Sequence, residues 1–124
     1  MNLVGIGYDT HRFAPGRRLV LGGVEIPSEL GLAGHSDADA LCHAIADALL
    51  GAVGEGDIGR HFPDTDESIR GISSIAILRR VRELVAARGG VIVNVDATLV
   101  AERPRIGPHV EAMRARIGDA LGLD

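Results

Sequence analysis

Residues 35–51 read HSDADALCHAIADALLG, and the fold turns on how this run is parsed. Leu41, Ile45, Ala48 and Leu49 recur at three- and four-residue spacing, which predicts an α-helix with one buried stripe. Asp37 or Ser36 can cap its start, and Gly51 stops it just past Leu50. Opposite the stripe, Asp39, His43 and Asp47 stand one turn apart. A histidine between two carboxylates is a well-oriented base or metal ligand, because a neighbouring carboxylate fixes its tautomer. A solvated helix face carrying an ordinary surface histidine has the same pattern.

Upstream, residues 3–13 (LVGIGYDTHRF) alternate with a period of two. That predicts a strand with Leu3, Gly5, Gly7, Asp9, His11 and Phe13 on one face. Asp9 and His11 therefore point the same way, and the glycines leave room beside them. With His43 they offer one carboxylate and two imidazoles, the donor set of a zinc site with its fourth place open. An open place is where a metal does chemistry rather than hold a fold together.

The remaining elements follow from the same periodicities. Residues 18–26 (RLVLGGVEI) read as a hairpin about Gly22-Gly23, and residues 27–34 as loop. Residues 51–71, rich in Gly, Asp and Pro, read as a long loop whose length marks it as functional or mobile. Ser73 or Ser74 can cap a second helix with the stripe Ile77, Leu78, Val81, Leu84, Val85 and Gly89 beyond its end. Residues 91–100 (VIVNVDATLV) read as the clearest strand, with Val91, Val93, Val95, Ala97 and Leu99 on one face. A last helix opens near Pro108 and runs through Val110, Met113, Ile117 and Leu121. This order predicts an α+β fold: a single domain over residues 1–124, with a mixed β-sheet and helices packed on one face in βαβ-type units.

Composition narrows the function. At 46% hydrophobic but 2% aromatic, the chain can bury a core, and that core must be aliphatic. All 13 basic residues are Arg, against 17 acidic ones, so the net charge is −4. Such a surface has no general attraction for nucleic acid or an anionic membrane. Cys42 is the single cysteine, which excludes an intrachain disulfide and suits a reducing cytosol. No apolar run reaches membrane-spanning length and no signal-peptide pattern is visible, so a cytoplasmic location is expected.

Three further segments can carry chemistry. His35, just ahead of the first helix, can hold a phosphate or neutralise developing charge. Residues 54–66 (GEGDIGRHFPDTD) combine flexible backbone with Glu55, Asp57, Asp64 and Asp66, which suit hydroxyl groups or a hard cation better than phosphate. Residues 101–107 (AERPRIG) lead from a strand into a helix N-terminus, a place that favours anions, and Arg103 and Arg105 add positive charge. Each reads equally well as an ordinary surface loop. No constellation of a nucleophilic Ser or Cys is visible.

Taken together, these segments resemble the 2-C-methyl-D-erythritol 2,4-cyclodiphosphate synthase family of the non-mevalonate isoprenoid pathway. The matching residues are Gly5-Ile6-Gly7-Tyr8-Asp9-Thr10-His11, Gly22-Gly23-Val24-Glu25-Ile26-Pro27, His35-Ser36-Asp37-Ala38-Asp39, His43-Ala44 and Asp47-Ala48-Leu49-Leu50-Gly51. Gly56-Asp57-Ile58-Gly59, Phe62-Pro63-Asp64-Thr65-Asp66, Asn94-Val95-Asp96 and Pro104 complete the set. The resemblance implies a phosphorus–oxygen lyase that converts 4-diphosphocytidyl-2-C-methyl-D-erythritol 2-phosphate into the 2,4-cyclodiphosphate and releases CMP. It implies zinc ligation by Asp9, His11 and His43, one Zn2+ per subunit, with Mg2+ or Mn2+ on the substrate diphosphate.

The same resemblance makes His35 the catalytic residue that stabilises the transition state, with Thr10 and Ser36 beside the substrate. Asp57, Ile58, Gly59, Phe62, Pro63, Asp64, Thr65 and Asp66 would hold the methylerythritol part. Ala101, Glu102, Arg103, Pro104, Arg105, Ile106 and Gly107 would hold part of the cytidine and phosphates, with Arg105 standing where the family usually has Lys. The family forms homotrimers with active sites shared between subunits. Its usual Thr-Thr-Glu segment and final strand would follow Asp124: either the sequence is part of a longer chain, or this is a shortened form, which would leave an unpaired sheet edge. The alternatives are an inactive trimeric relative that binds zinc and nucleotide, or a metal that only staples the first strand to the first helix.

Overall fold

The computed structural model describes residues 1–123; Asp124, the last residue of the expected domain, lies outside the described residues. Four short strands come first: β1 (Phe13–Pro15), β2 (Leu19–Leu21), β3 (Val24–Ile26) and β4 (Leu30–Leu32). Then follow α1 (Ala40–Ala52), α2 (Ile58–His61), α3 (Ser74–Ala87) and α4 (Val110–Leu121), with single 3-10 turns at Glu67–Ile69 and Gly107–His109. The class is α+β. The paired strands form two antiparallel two-stranded sheets, β1 with β4 and β2 with β3, instead of one mixed sheet. Among the described residues, no helix is long and apolar enough to cross a membrane.

The β2–β3 hairpin turns at Gly22 and Gly23, both in the left-handed region at φ 60° and 76°. Two consecutive positive φ values make the turn whose twist matches that of its strands, and glycine reaches them without a Cβ clash. The buried carboxylate of Asp39 holds this turn to α1. It accepts from the N–H of Gly22 at 2.9 Å and Gly23 at 2.7 Å, and caps the helix by accepting from Cys42 N–H at 3.1 Å. Burial pushes the Asp39 carboxyl above its ordinary value, and the three N–H donors pull the other way.

The cap is therefore Asp39 instead of Asp37 or Ser36, and α1 runs through Gly51 to Ala52. Ala38, in the left-handed region at φ 58°, turns the preceding residues back over the helix and frees them for the site. The alternative of a solvated face fails, and the buried stripe is shifted: Asp39 and His43 are buried with Ala40, Cys42, Ile45, Ala46 and Leu50, whereas of the expected stripe only Ile45 is buried and Leu41, Ala48 and Leu49 are half-buried. Cys42 lies fully inside, where burial pushes its thiol far up.

Two apolar clusters make the core. One joins α1, α3 and α4 through Ile45, Leu50, Ile77, Leu78, Val81, Val85 and Leu121; the other joins the hairpin, Leu32 and Met113. The α3 stripe follows the expected helical spacing, with Ser73 as its cap; on α4 Met113 and Leu121 are buried and Ile117 half-buried as expected, but Val110 is exposed.

Three strand expectations are corrected. Residues 27–34 are not simply loop: Leu30–Leu32 form β4 and pair with Phe13–Pro15. In residues 3–13 only Phe13 enters a ladder, and residues 91–100 enter none. Alternation records which side of a segment faces the protein; a ladder also needs a partner backbone, and among the described residues neither segment has one. Of the face expected to carry Leu3, Gly5, Gly7, Asp9, His11 and Phe13, the middle four turn toward the protein, while Leu3 and Phe13 are exposed. A Cβ at Gly5 or Gly7 would collide with the carbonyl oxygens of Ala48 and Ala44, so this segment lies directly on α1. Val4, Ile6 and Tyr8 face outward. Residues 91–100 instead touch the core through Ile92, Val95 and Leu99, because the chain passes from one cluster to the other; Val91 and Val93 are exposed.

Candidate metal centre and active site

The close seating of Gly5 and Gly7 on α1 carries Asp9 and His11 up to His43. The three residues each offer a donor atom, and these atoms all lie within 4.8 Å of one another. Asp9 Oδ2 is 2.7 Å from His11 Nδ1 and 3.6 Å from His43 Nδ1. The two rings stand 5.4 Å apart at 55°.

Asp9 Oδ2 and His11 Nδ1 are buried, and despite their proximity neither makes a hydrogen bond of acceptable angle. Buried polar atoms left in this state are costly unless something else satisfies them. A divalent cation among one carboxylate oxygen and two imidazole nitrogens would do so, and the mixed O/N set with a fourth side open fits a tetrahedral transition metal. Burial alone would push the Asp9 carboxyl up; the adjacent imidazoles of His11 and His43 outweigh it and hold it at about 2, from an ordinary 3.8.

The far side of His43 differs from the expectation. Asp39 is committed to the cap and hairpin, and Asp47 accepts from Ile58 N–H at 2.9 Å, so neither bonds the imidazole. His43 Nε2 instead lies 2.9 Å from Ser74 Oγ and 3.1 Å from Ser36 Oγ. Ser74 Oγ is in turn 2.5 Å from Asp37 Oδ1, and Asp37 Oδ2 accepts from Ser74 N–H at 2.8 Å. Sequence reasoning gave neither Asp37 nor Ser74 a place in the site. The available signal was two serines at the head of α3, of which a helix needs only one as its cap.

His35 and Ser36 sit on a loop gripped from both sides. Arg17 donates to the carbonyls of Gly34 and Ser36, each at 2.8 Å. Gly71 N–H donates to His35 O at 2.9 Å, and Asp37 N–H to Ile72 O at 3.1 Å. His35 Nε2 lies 3.0 Å from Asp66 O. The contact between Ser36 and His43 thus places His35 one residue from the metal cluster.

The other expected residues divide into two groups. A cavity of about 440 Å³ is bounded by Asp9, Thr10 and His11 on one wall and Ala101, Arg103 and Pro104 on another, over an apolar floor of Leu19, Leu21 and Leu41. Glu102, Arg105 and Gly107 are exposed and do not bound it, and Ile106 packs on the hairpin cluster. Residues 57–66 lie outside this cavity. Asp57 caps α2 and Asp66 caps the following 3-10 turn; Ile58 and Phe62 pack on the helical core, Gly59, Asp64 and Thr65 are exposed, and Pro63 is half-buried. The first group shares a cavity with Asp9 and His11, whereas the second reaches only His35, through the main-chain oxygen of Asp66.

The YgbB family model matches residues 2–124. The 2-C-methyl-D-erythritol 2,4-cyclodiphosphate synthase of Symbiobacterium thermophilum is 62% identical over 122 residues, covering 98% of this chain and 78% of that protein. The bifunctional enzyme IspD/IspF of Anaeromyxobacter dehalogenans is 61% identical over 119 residues, 96% of this chain but 31% of its own length. A solved 2C-methyl-D-erythritol-2,4-cyclodiphosphate synthase in a CDP-bound form superposes with a TM-score of 0.90 at 45% identity, covering 98% of this chain and 81% of that one. With a family model matched over residues 2–124 and relatives of this identity aligned along nearly all of it, the chain belongs to the YgbB family.

Proposed function

We infer that the protein is a 2-C-methyl-D-erythritol 2,4-cyclodiphosphate synthase, a lyase of isoprenoid biosynthesis. Its substrate is 4-diphosphocytidyl-2-C-methyl-D-erythritol 2-phosphate. An oxygen of the 2-phosphate forms a bond to the β-phosphorus, the bond from that phosphorus to the oxygen bridging to the α-phosphate breaks, and CMP leaves. Nucleophile and leaving group both belong to the substrate, so the protein contributes positioning and charge stabilisation. No protein nucleophile is required by that chemistry: Cys42 is sealed in the core, and the Ser36 and Ser74 hydroxyls beside His43 are engaged in hydrogen bonds.

The observation that carries this reading is the convergence of Asp9, His11 and His43, with buried donor atoms that no protein group satisfies. We assign zinc to this cluster, one ion per subunit. When bound there it polarises phosphate oxygens and offsets charge at phosphorus. His35, kept beside the cluster by Arg17 and Asp66, is assigned to stabilising the transition state, and Ser36 and Thr10 to substrate contact. Residues 57–59 and 62–66 are assigned to the methylerythritol hydroxyls. Residues 101–107 are assigned to the nucleotide and its phosphates, a reading supported by the cavity that Ala101, Arg103 and Pro104 share with Asp9 and His11. A Mg2+ or Mn2+ ion is assigned to the diphosphate. The CDP in the related solved structure supports a cytidine nucleotide ligand here.

A single catalytic domain, a homotrimer with shared active sites and a cytoplasmic location complete the proposal. The exposed apolar side chains of Val4, Ile6 and Tyr8 on one segment, and of Val91 and Val93 on another, support association, since apolar surface left exposed favours an interface. The lone buried Cys42 suits a reducing compartment. Release of CMP from the substrate by purified protein, abolished by a chelator and restored by zinc, tests the reading. No release under zinc and magnesium together would overturn it.

A further inference from the structure

Ser74 Oγ has one proton and two neighbours that compete for it, Asp37 Oδ1 at 2.5 Å and His43 Nε2 at 2.9 Å. A carboxylate oxygen only accepts, so the hydroxyl proton goes to Asp37. Ser74 Oγ then meets His43 as an acceptor, which requires the imidazole to carry its proton on Nε2. Ser36 Oγ, 3.1 Å from the same nitrogen and already accepting from Ala38 N–H at 3.1 Å, lies where it can share that proton. The opposite ring nitrogen, Nδ1, is left with a free lone pair directed toward Asp9 Oδ2 at 3.6 Å.

We propose that Ser74 and Asp37 are positioning residues for the metal: a relay from Asp37 through Ser74 to His43 holds the ring in the tautomer that presents Nδ1. A carboxylate bonded directly to a metal-binding imidazole does this in many sites. Here the two carboxylates spaced for that task on α1, Asp39 and Asp47, are engaged elsewhere, and a serine hydroxyl carries the effect from a third. Ser74 is fully buried, so water does not substitute for it freely. Its main-chain N–H also binds Asp37, at 2.8 Å, and Asp37 N–H binds Ile72 O at 3.1 Å. The loop ahead of α1 and the head of α3 are thereby locked together around one ring.

This inference rests on the metal reading above, and the test separates the two. Long-range 1H–15N spectra of the zinc-loaded wild-type protein read the His43 tautomer directly. The expected result is a proton on Nε2 and metal on Nδ1; the reverse assignment overturns the proposal whatever any variant does. Cobalt(II) titration followed by its visible absorption then compares wild type with Ser74→Ala and Asp37→Asn. Both variants are expected to lose about 10–100-fold in cobalt affinity, with a shifted absorption band, while far-UV circular dichroism stays unchanged. Variants that fold and bind cobalt as tightly as wild type overturn the relay and leave the metal site standing. A wild-type protein that binds neither zinc nor cobalt overturns the metal reading itself.

Discussion

The imidazole Nε2 of His35 lies 3.0 Å from the main-chain oxygen of Asp66, across 31 residues of chain. A carbonyl oxygen only accepts, so the ring donates from Nε2. The contact joins the loop ahead of α1 to the segment assigned to the methylerythritol group. His35→Ala should lower CMP release by roughly 10²–10³-fold, the usual cost of one charge-stabilising group. Zinc content should stay at one per chain, because His35 is not among the clustered donors. Turnover and bound metal measured on the same sample check this, and a variant that loses its zinc or its fold would show His35 to be structural.

Removing the metal should stop turnover and leave the helices in place. The core clusters are aliphatic and contain none of the three ligands. Dialysis against a chelator followed by far-UV circular dichroism should show the helical signal retained, and His43→Ala should lack bound zinc by elemental analysis. Collapse of the helical signal on chelation would favour a metal that merely staples the fold.

Asp39 should matter to stability more than its single side chain suggests. It caps α1 and binds both N–H groups of the hairpin turn from a fully buried position. Asp39→Ala should cost about 3 kcal/mol: about 1 for the cap and the rest for turn N–H groups left unsatisfied in the interior. Urea unfolding measures it. A loss under about 0.5 kcal/mol would mean that the hairpin turn finds other partners.

Asp9 sets a pH dependence in the metal-free protein. Its folded carboxyl sits at about 2 against an ordinary 3.8. A carboxyl lowered on folding contributes stability that is present above the unfolded value and lost as the pH falls through the folded one. Metal-free Asp9→Asn should therefore be less stable than wild type at about pH 6, and the gap should close between about pH 4 and about pH 2. Urea midpoints across that range check it; a gap independent of pH would mean that the Asp9 charge has no such role.

What could be read along the chain was whatever has a local cause. The helical stripes of α3 and α4, the Gly22-Gly23 turn and the inward set Gly5, Gly7, Asp9 and His11 are consequences of spacing and backbone conformation within a few residues. The grouping of Asp9, His11 and His43 was legible for the same reason, once His43 fell on a helix and Asp9 and His11 on one side of an alternating segment.

Partnership was not legible, because it is decided by which surfaces meet. Periodicity could not say that Leu30–Leu32 would pair with Phe13–Pro15, nor that residues 91–100 would lie on the core without a ladder. It put Asp39 and Asp47 beside His43 because they share its side of the helix. Packing instead used Asp39 on the hairpin and Asp47 on Ile58, and brought Ser74 and Asp37 to the imidazole from elements 31 and 6 residues away in sequence.

The amino-acid order by itself determined the class of the fold, the choice of Asp9, His11 and His43 as candidate metal donors and the family, since each depends on residue type and short-range spacing. Only the tertiary structure decided which atoms of those donors face one another and what stands behind them. A hydrogen bond is fixed by distance and angle to about a tenth of its length, and no spacing rule along a chain reaches that resolution across separate elements.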